Sequence, residues 1–303
     1  MKSKYIVLIM GVIILSIYSA AGYALSEAFK ADGTLLNAAY DKDGSMVYPD
    51  SIPVPVPSGD LNVAEKIILP DIHNNGHGWT CTGLAYDAQT DTFLVGDIGK
   101  ELPASSGFAS QIVRIQPDFE TVVGTIPLYS TFANMQDIQG LTIDTSDGTI
   151  WFCSYAEGKV RNISTSGNSI KSFDLTGANG IAYSRKDDCF WILVTNTNDI
   201  LKVSKSGTIL ARYAFTYNET VDQCYFDEWR GLLYITAGAN YSGRNNIYCF
   251  NTQTHALSIA CTVDSYSVEG LWLGDDDKMI IINDGYYHSA TDPYNQANIY
   301  TIS

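Results

Sequence analysis

The sequence predicts an all-β protein that folds as a five-bladed β-propeller of four-stranded antiparallel blades. Three observations support this prediction: a five-fold internal repeat, four strand-like segments per repeat, and a fourth strand that the last repeat lacks but that precedes the first repeat. An N-terminal strand of this kind completes the last blade of a propeller and removes an open sheet edge.

Each repeat starts with a short apolar strand, and a polar turn and a second strand follow it. The repeats start at Gly83, Gly140, Gly180, Gln223 and Gly270. Second strands are predicted at residues 92–96, 149–153, 189–193, 232–236 and 279–282. Third strands are predicted at residues 111–115, 159–163, 199–203, 246–250 and 298–302. Fourth strands are predicted at residues 120–126, 169–175, 208–215 and 257–263, and the closing strand at residues 63–69.

Three repeats carry an insertion between their second and third strands, at residues 98–110, 238–245 and 285–297. Because the insertions share one strand junction, we expect them on one face of the ring. Long loops on one face of a rigid scaffold are typical of a recognition surface.

The N-terminal residues 1–24 are typical of a signal peptide or a membrane anchor. Lys2 and Lys4 precede an apolar run at residues 5–18, and small residues that suit cleavage after Ala21 or Ala24 follow. An uncleaved anchor is the alternative, because residues 5–25 are about long enough to span a bilayer. Both interpretations predict export, to a secreted or cell-surface location, with membrane contact only through this segment.

Residues 25–60 are interpreted as a turn-bearing segment followed by a proline-rich, extended linker, and residues 61–303 as the propeller. The 33 acidic residues outnumber the 18 basic ones, so no basic patch is available for nucleic acid. The six cysteines form no CxxC motif, which leaves disulfides and buried thiols as alternatives.

One residue precedes the start of each repeat, and all five of these residues bear a side-chain oxygen. They are Thr82, Gln139, Asn179, Asp222 and Glu269. Because first strands line the channel of a propeller, we expect these residues to ring one mouth of it. Gln139, Asn179, Asp222 and Glu269 are candidate ligands of Ca²⁺ or another divalent cation. The alternative is a water-filled channel lined by polar side chains.

Other candidates for chemistry lie close to that face. Asp97 and Asp284 end the second strands of neighbouring blades, where they would bind a ligand, act as an acid–base pair, or cap turns. His77 and His288, in loops of the same two blades, are candidate general bases, as is Asp222. Tyr241, Tyr286 and Tyr287 in the insertions are suited to stacking on sugar rings.

The repeat style, Gly-apolar-x-apolar-Asp followed by Asp-Gly-x-apolar-Trp or -Tyr, resembles a broad group of propellers. The group includes the NHL-type proteins, the SdiA-regulated exported proteins and the gluconolactonase-like, senescence-marker lactonases. The resemblance covers residues 62–303, and residues 268–284 are similar to the last blade of the SdiA-regulated family.

The resemblance to the lactonases implies a divalent cation in the channel mouth. The segments that begin at Asn179 and Asp222 are similar to ligand segments of that family, as is Glu269 with the glycine after it. Two features depart from the lactonase pattern: the lactonases have six blades, and Gln139 stands where asparagine is expected.

Two functions follow as expectations. The first is an exported propeller that binds a glycan or another cell-envelope component on the face with the insertions. The second is a metal-dependent hydrolase of the lactone or phosphoester type, in which the cation polarises the substrate and Asp222 or a histidine activates water. No Gly-x-Ser-x-Gly elbow or phosphate-binding glycine loop is present in the sequence.

Overall fold

The chain divides into two compact units, Met1–Val54 and Pro55–Ser303, and each is described by itself. In this computed structural model the described residues of the second unit are 56–74, 79–99, 110–132, 135, 137–237, 243–274, 278–284 and 296–302. In the first unit the backbone of five strands is described.

The first unit contains a three-stranded antiparallel sheet of β1 (Lys4–Ile9), β2 (Val12–Tyr18) and β3 (Ala24–Phe29). β4 (Ala39–Tyr40) and β5 (Met46–Val47) form a separate pair. The apolar run predicted to be a signal peptide or anchor overlaps β1 and β2, and its role in export stays a prediction. Among the residues that the structure describes, no helix has the length and apolar character needed to cross a bilayer.

The second unit is a propeller of five sheets, and two of its strands, β6 (Gly59–Leu61) and β7 (Glu65–Ile68), come before blade one in the chain. Blade one contains β8 (Cys81–Asp87), β9 (Thr92–Asp97), β10 (Gln111–Ile115) and β11 (Val122–Pro127). Blade two contains β12 (Ile138–Asp144), β13 (Thr149–Ser154), β14 (Lys159–Ile163) and β15 (Ser169–Asp174). Blade three contains β16 (Ala178–Ser184), β17 (Cys189–Val194), β18 (Asp199–Ser204) and β19 (Ile209–Ala214).

Blade four contains β20 (Val221–Asp227), β21 (Leu232–Ala237), β22 (Asn245–Asn251) and β23 (Leu257–Val263). Blade five contains β24 (Val268–Leu273), β25 (Lys278–Asn283) and β26 (Gln296–Thr301). β7 pairs with β26 and supplies the fourth strand of blade five, which confirms the predicted ring closure. β6, which the sequence did not predict as a strand, adds to blade four in parallel with β23.

The first strands of the blades, β8, β12, β16, β20 and β24, contact one another in a closed ring around the channel. The second strands lie outside them, and the fourth strands form the periphery except in blade four, where β6 lies outside β23. This arrangement confirms the predicted five-bladed propeller.

Large aromatic side chains fill the spaces between adjacent blades. The ring centroids of Trp151 in blade two and Phe190 in blade three are 4.6 Å apart. Phe93 of blade one meets Trp272 of blade five edge to face at 5.2 Å. Because such aromatic pairs bury large apolar areas, the closure between the last and first blades is stabilised as the other junctions are.

Each of the five first strands, called the inner strands below, has a β-bulge. The bulge comprises the residue before the start of the repeat and the first residue of the repeat. A bulge redirects the side chains of its strand, and here it does so next to the channel. The glycines of these pairs allow close approach of neighbouring strands. A Cβ on Gly140 would lie 2.6 Å from the carbonyl oxygen of Asn179, and one on Gly180 would lie 2.6 Å from that of Asp222.

All six cysteines are buried thiols and none forms a disulfide. Burial raises the pKa of Cys189 and Cys249 to about 11, and that of Cys261 to about 12. These side chains act as small apolar residues of the core. Of the two alternatives that the sequence left open, the structure has the buried thiols.

Candidate functional site at the channel mouth

The five ring residues predicted from the sequence lie at one end of the channel, at the bulges of the inner strands. The insertions connect second and third strands at this same end, because inner strands begin where second strands finish. Thr82, Asn179 and Glu269 are buried, whereas Gln139 and Asp222 are half-buried.

Blades three and four are joined at the mouth by a polar network around Asn179. Asn179 Nδ2 donates to Asp222 Oδ1 at 2.9 Å and to Thr195 Oγ1 at 3.0 Å. Thr195 Oγ1 in turn donates to the carbonyl oxygen of Val221 at 3.0 Å. The position of the Asp222 carboxylate is thus determined by groups from both blades.

Gln223 adds a further member, which the sequence analysis did not identify as part of the site. Its Nε2 atom lies 3.2 Å from Asn179 Oδ1 and 3.4 Å from Asp222 Oδ1. On the other side, a Cβ on Gly140 would lie 2.6 Å from Gln223 Oε1. The side chain therefore reaches from β20 past β16 toward β12, and only 2% of the residue is exposed.

Gln223 stands at a position where the other four repeats have glycine. Its side chain therefore makes the channel narrower at this level than a fifth glycine would. Four inner strands thus contribute no side chain at this level, and the fifth contributes a long one. The Gln223 amide therefore lies across the channel below the ring residues, and this level is called the floor of the mouth. This departure from the repeat was the signal in the sequence that identifies the residue.

The hydrogen bonds of Gln139 and Thr82 lie outside the network of Asn179, Asp222 and Gln223. Gln139 Nε2 donates to Asp137 Oδ1 at 2.6 Å, and the other oxygen of Asp137 accepts from the backbone nitrogen of Ala156 at 3.0 Å. Thr82 Oγ1 donates to the carbonyl oxygens of Ile138 and Gln139, at 3.1 and 3.2 Å. Thr82 thus joins blade one to blade two, and Asp137 is a second mouth residue that sequence reasoning missed.

Asp97 lies at the base of the blade-one insertion with no exposed surface. Its Oδ2 atom is 2.9 Å from His73 Nε2 and accepts a hydrogen bond from Gln111 Nε2 at 2.8 Å. Its Oδ1 atom accepts from the backbone nitrogen of Gly99 at 2.9 Å. His73, which the sequence analysis did not single out, is the histidine that the structure places beside this carboxylate.

The remaining predicted site residues are less fully described. Asp284 is buried at the end of β25, and its backbone nitrogen donates to Ser267 at 3.3 Å. His77, His288, Tyr241, Tyr286 and Tyr287 lie outside the described residues. Their assigned roles stay predictions.

An ion pair borders the mouth in blade two. Glu157 accepts from Arg161 at 2.7 and 2.9 Å and from Ser154 Oγ at 2.6 Å. The hydrogen bond from Arg161 is the main reason that the pKa of Glu157 is lowered. This carboxylate is therefore charged at neutral pH.

A divalent cation between Asn179 and Asp222 would use Asn179 Oδ1 and an oxygen of the Asp222 carboxylate. In the structure both oxygens face the amide nitrogen of Gln223. Within the described ranges, no group of three or more His, Cys, Asp or Glu side chains has the arrangement of a metal site. As arranged, Asn179 Oδ1 and Asp222 Oδ1 are directed at a hydrogen-bond donor, so this pair of oxygens does not fit the cation that the lactonase resemblance implies.

Comparison with known proteins shows the fold alone. No family model and no curated protein matches the chain. Among solved structures, a glutaminyl cyclase from Myxococcus xanthus aligns with a TM-score of 0.54 and 10% identity, over 80% of this chain and 97% of that one. A chain of a nidogen–laminin complex aligns with a TM-score of 0.50 and 16% identity, over 70% and 74%.

A gluconolactonase from Xanthomonas campestris aligns over 94% of this chain and 82% of its own, with a TM-score of 0.48 and 14% identity. That likeness is too distant to bear on activity. The resemblance to the propeller group is confirmed at the level of the fold. What the mouth of this propeller does rests on its own residues.

Proposed function

We propose that this chain is an exported binding propeller that recognises a glycan or another cell-envelope component at the channel mouth. The observation that supports this most strongly is the network of Asn179, Asp222 and Gln223, which positions a half-buried carboxylate before any ligand arrives. A preorganised polar group loses little conformational entropy on binding, so its hydrogen bonds contribute more to affinity.

The chemistry of the mouth suits a ligand rich in hydroxyl groups. The Asp222 carboxylate accepts hydrogen bonds, and the half-buried Gln139 amide both donates and accepts. Because Gln223 reaches across the floor, a ligand enters from the side with the insertions. Tyr241, Tyr286 and Tyr287 in those insertions would supply stacking surfaces for sugar rings.

The predicted export and the net charge of −15 agree with this partner class. A protein with so few basic residues is unsuited to phosphate-rich polymers. The neutral sugars of an envelope polysaccharide present no such charge conflict.

The hydrolase alternative requires a cation at the same ring. The amide nitrogen of Gln223 faces the oxygens that such a cation would use, so we favour binding over catalysis. Calorimetric titration with Ca²⁺, Mg²⁺, Mn²⁺ and Zn²⁺ discriminates between the two. Binding of a metal that Asp222→Ala abolishes, together with lactone or phosphoester hydrolysis, would support the hydrolase.

The binding proposal is tested with glycan arrays and cell-wall pull-down of the intact protein. Asp222→Asn keeps the shape of the side chain and removes its charge, and we expect it to weaken binding about tenfold or more, or about 1.4 kcal/mol. Asp147→Asn is the matched control, because Asp147 lies in the exposed turn between β12 and β13 at the opposite end of the inner strands.

Binding at background level for the intact protein would contradict the proposal. Equal losses of binding in the Asp222→Asn and Asp147→Asn variants would also contradict it, because the ligand would then not bind at the mouth.

A further inference from the structure

We infer that the side-chain amide of Gln223 takes the place of a divalent cation in the floor of the channel, so that this propeller organises its mouth with an internal hydrogen-bond donor. The inference concerns how the floor is held together and does not depend on which ligand the mouth binds. It begins from the position of Gln223, which stands where the other four repeats have glycine.

The orientation of every amide in the network follows from one backbone acceptor. The carbonyl oxygen of Val221 can only accept, so the hydroxyl of Thr195 donates to it. The Thr195 oxygen then accepts from Asn179 Nδ2, which turns Asn179 Oδ1 toward Gln223.

Gln223 must therefore present Nε2 to this region. Asn179 Oδ1 can only accept, and a carboxylate at Asp222 likewise offers only acceptors. The two oxygens converge on a single nitrogen, at 3.2 and 3.4 Å. A hard cation uses convergent carboxylate and amide oxygens in the same way, although at shorter distances.

The location of the amide makes simultaneous occupation by a cation unfavourable. Gln223 is 2% exposed, and its Oε1 atom lies beside Gly140 of β12. The side chain is thus confined between three inner strands. A cation between the same two oxygens would have to displace the Nε2 group into space that the neighbouring strands occupy.

The functional consequence is a floor that needs no metal to place Asp222. In a cation-centred ring, removal of the metal leaves carboxylates facing one another without compensation. Here the neutral amide hydrogen-bonds to both oxygens and adds no charge. The mouth is therefore expected to keep its geometry in a chelator.

The test uses Gln223→Glu in the full chain, which preserves side-chain shape but replaces the donor by a carboxylate facing Asp222. In EDTA at neutral pH we expect its melting temperature to fall by roughly 6–12 °C, as for an uncompensated buried charge in a domain of this size. Calcium chloride in excess should restore much of the loss, because a cation can then bridge the two carboxylates. The wild-type protein should melt at the same temperature in EDTA and in calcium.

Gln253→Glu is the matched control, because Gln253 is an exposed residue of the turn after β22 and the substitution adds the same charge at the surface. It should leave the melting temperature unchanged within about 1 °C in both conditions. If Gln223→Glu does not fold, Gln223→Gly reproduces the residue of the other repeats. Calorimetry should then detect calcium binding that the wild type lacks and that Asp222→Asn removes.

Two results would overturn the inference. One is a rise in the wild-type melting temperature with calcium that Asp222→Asn abolishes, because a cation would then occupy the floor of the natural protein. The other is a Gln223→Glu variant as stable as the wild type in EDTA, because the amide donor would then have no role there. Neither result depends on whether a glycan binds the mouth.

Discussion

His73 Nε2 lies 2.9 Å from Asp97 Oδ2, which joins the loop before blade one to the end of β9. The carboxylate is fully buried and also accepts hydrogen bonds from Gln111 and from the backbone of Gly99. Groups from the preceding loop, the insertion base and β10 therefore converge on one side chain. These contacts hold the start of the blade-one insertion, at Gly99, beside the end of β9.

Replacing Asp97 by alanine should destabilise the propeller by about 2–4 kcal/mol, because the buried donors of Gly99 and Gln111 lose their acceptor. Urea unfolding followed by circular dichroism measures the change. Asp174→Ala is the control, since its side chain is 83% exposed although it also pairs with a lysine. We expect the control to leave the free energy of unfolding nearly unchanged, because solvent screens an exposed ion pair, and equal losses would show that Asp97 is not an anchor.

Gly140→Ala should destabilise the inner ring by about 2 kcal/mol or more. The added Cβ would lie 2.6 Å from both the carbonyl oxygen of Asn179 and Gln223 Oε1, so strands of two other blades would have to move. Gly124→Ala provides the contrast, because a Cβ there meets nothing within 4 Å.

The Gly124→Ala variant should be as stable as the wild type or more stable by up to about 1 kcal/mol, since alanine reduces the freedom of the unfolded chain. Chemical unfolding of the two variants side by side measures the difference. A Gly140→Ala protein with wild-type stability would show that the inner strands do not approach as closely as described.

Lys205 connects blades two and three at the opposite end, with Nζ 2.5 Å from both Asp144 Oδ2 and Asp188 Oδ1. Burial opposes ionisation of Asp144, but the hydrogen bond from Lys205, the two hydrogen bonds from Ser146 and the charge of Lys205 together outweigh it and lower the pKa of that carboxyl. The Lys205 hydrogen bond also lowers the pKa of Asp188. The pKa of Lys205 itself is raised above its ordinary value of 10.5 by these carboxylates, against the effect of burial.

We expect Lys205→Met to lose about 1–2 kcal/mol at neutral pH, a value reduced by solvent screening at the exposed Asp188. Carboxyls with lowered pKa stabilise the fold above their ordinary pKa, here 3.8, and this contribution is lost as pH falls further. The lysine contribution persists until pH exceeds 10.5. The difference between variant and wild type should therefore be constant between these limits and shrink below about pH 4.

Unfolding in urea across this pH range provides the measurement. A difference that stays the same down to pH values well below the carboxyl pKa would mean that lost packing, and not the ion pairs, explains the effect.

Two adjacent residues of the closing strand test ring closure. Ile67 packs against the core shared by blades one and five, whereas Ile68 is 59% exposed. Ile67→Ser should cost about 2 kcal/mol by removing buried apolar surface, and Ile68→Ser less than about 0.5 kcal/mol. Equal effects on the free energy of unfolding would contradict the register of β7 against β26.

The strand pattern was predictable because it is local. The second strand predicted at residues 189–193 is β17 (Cys189–Val194), and the closing strand predicted at residues 63–69 contains β7 (Glu65–Ile68). An apolar run bounded by turn residues predicts a strand from neighbouring residues alone. β6 was not predicted, because a strand of three residues is too short to show an apolar pattern and its parallel partner, β23, lies far away in the sequence.

The candidate site was predictable only in part. Position within the repeat placed Asn179 and Asp222 at one mouth, because equivalent residues of repeated blades occupy equivalent places. The partners of these side chains depend on contacts across blades: Gln223 faces Asn179, and His73 reaches Asp97. Such contacts join residues far apart in sequence and leave no periodic pattern.

By itself, the sequence determined that this chain forms five blades, that a strand before the first repeat closes the ring, and that polar residues gather at one end of the channel. These properties follow from the alternation of apolar and polar residues within each strand and from the repetition of the same pattern in each blade. Both can be recognised without knowing which residues meet in the folded chain. Only the tertiary structure decided which atom faces which at the mouth. It brings the amide of Gln223 between the oxygens of Asn179 and Asp222, because closure of the ring brings the inner strands into contact around a narrow axis.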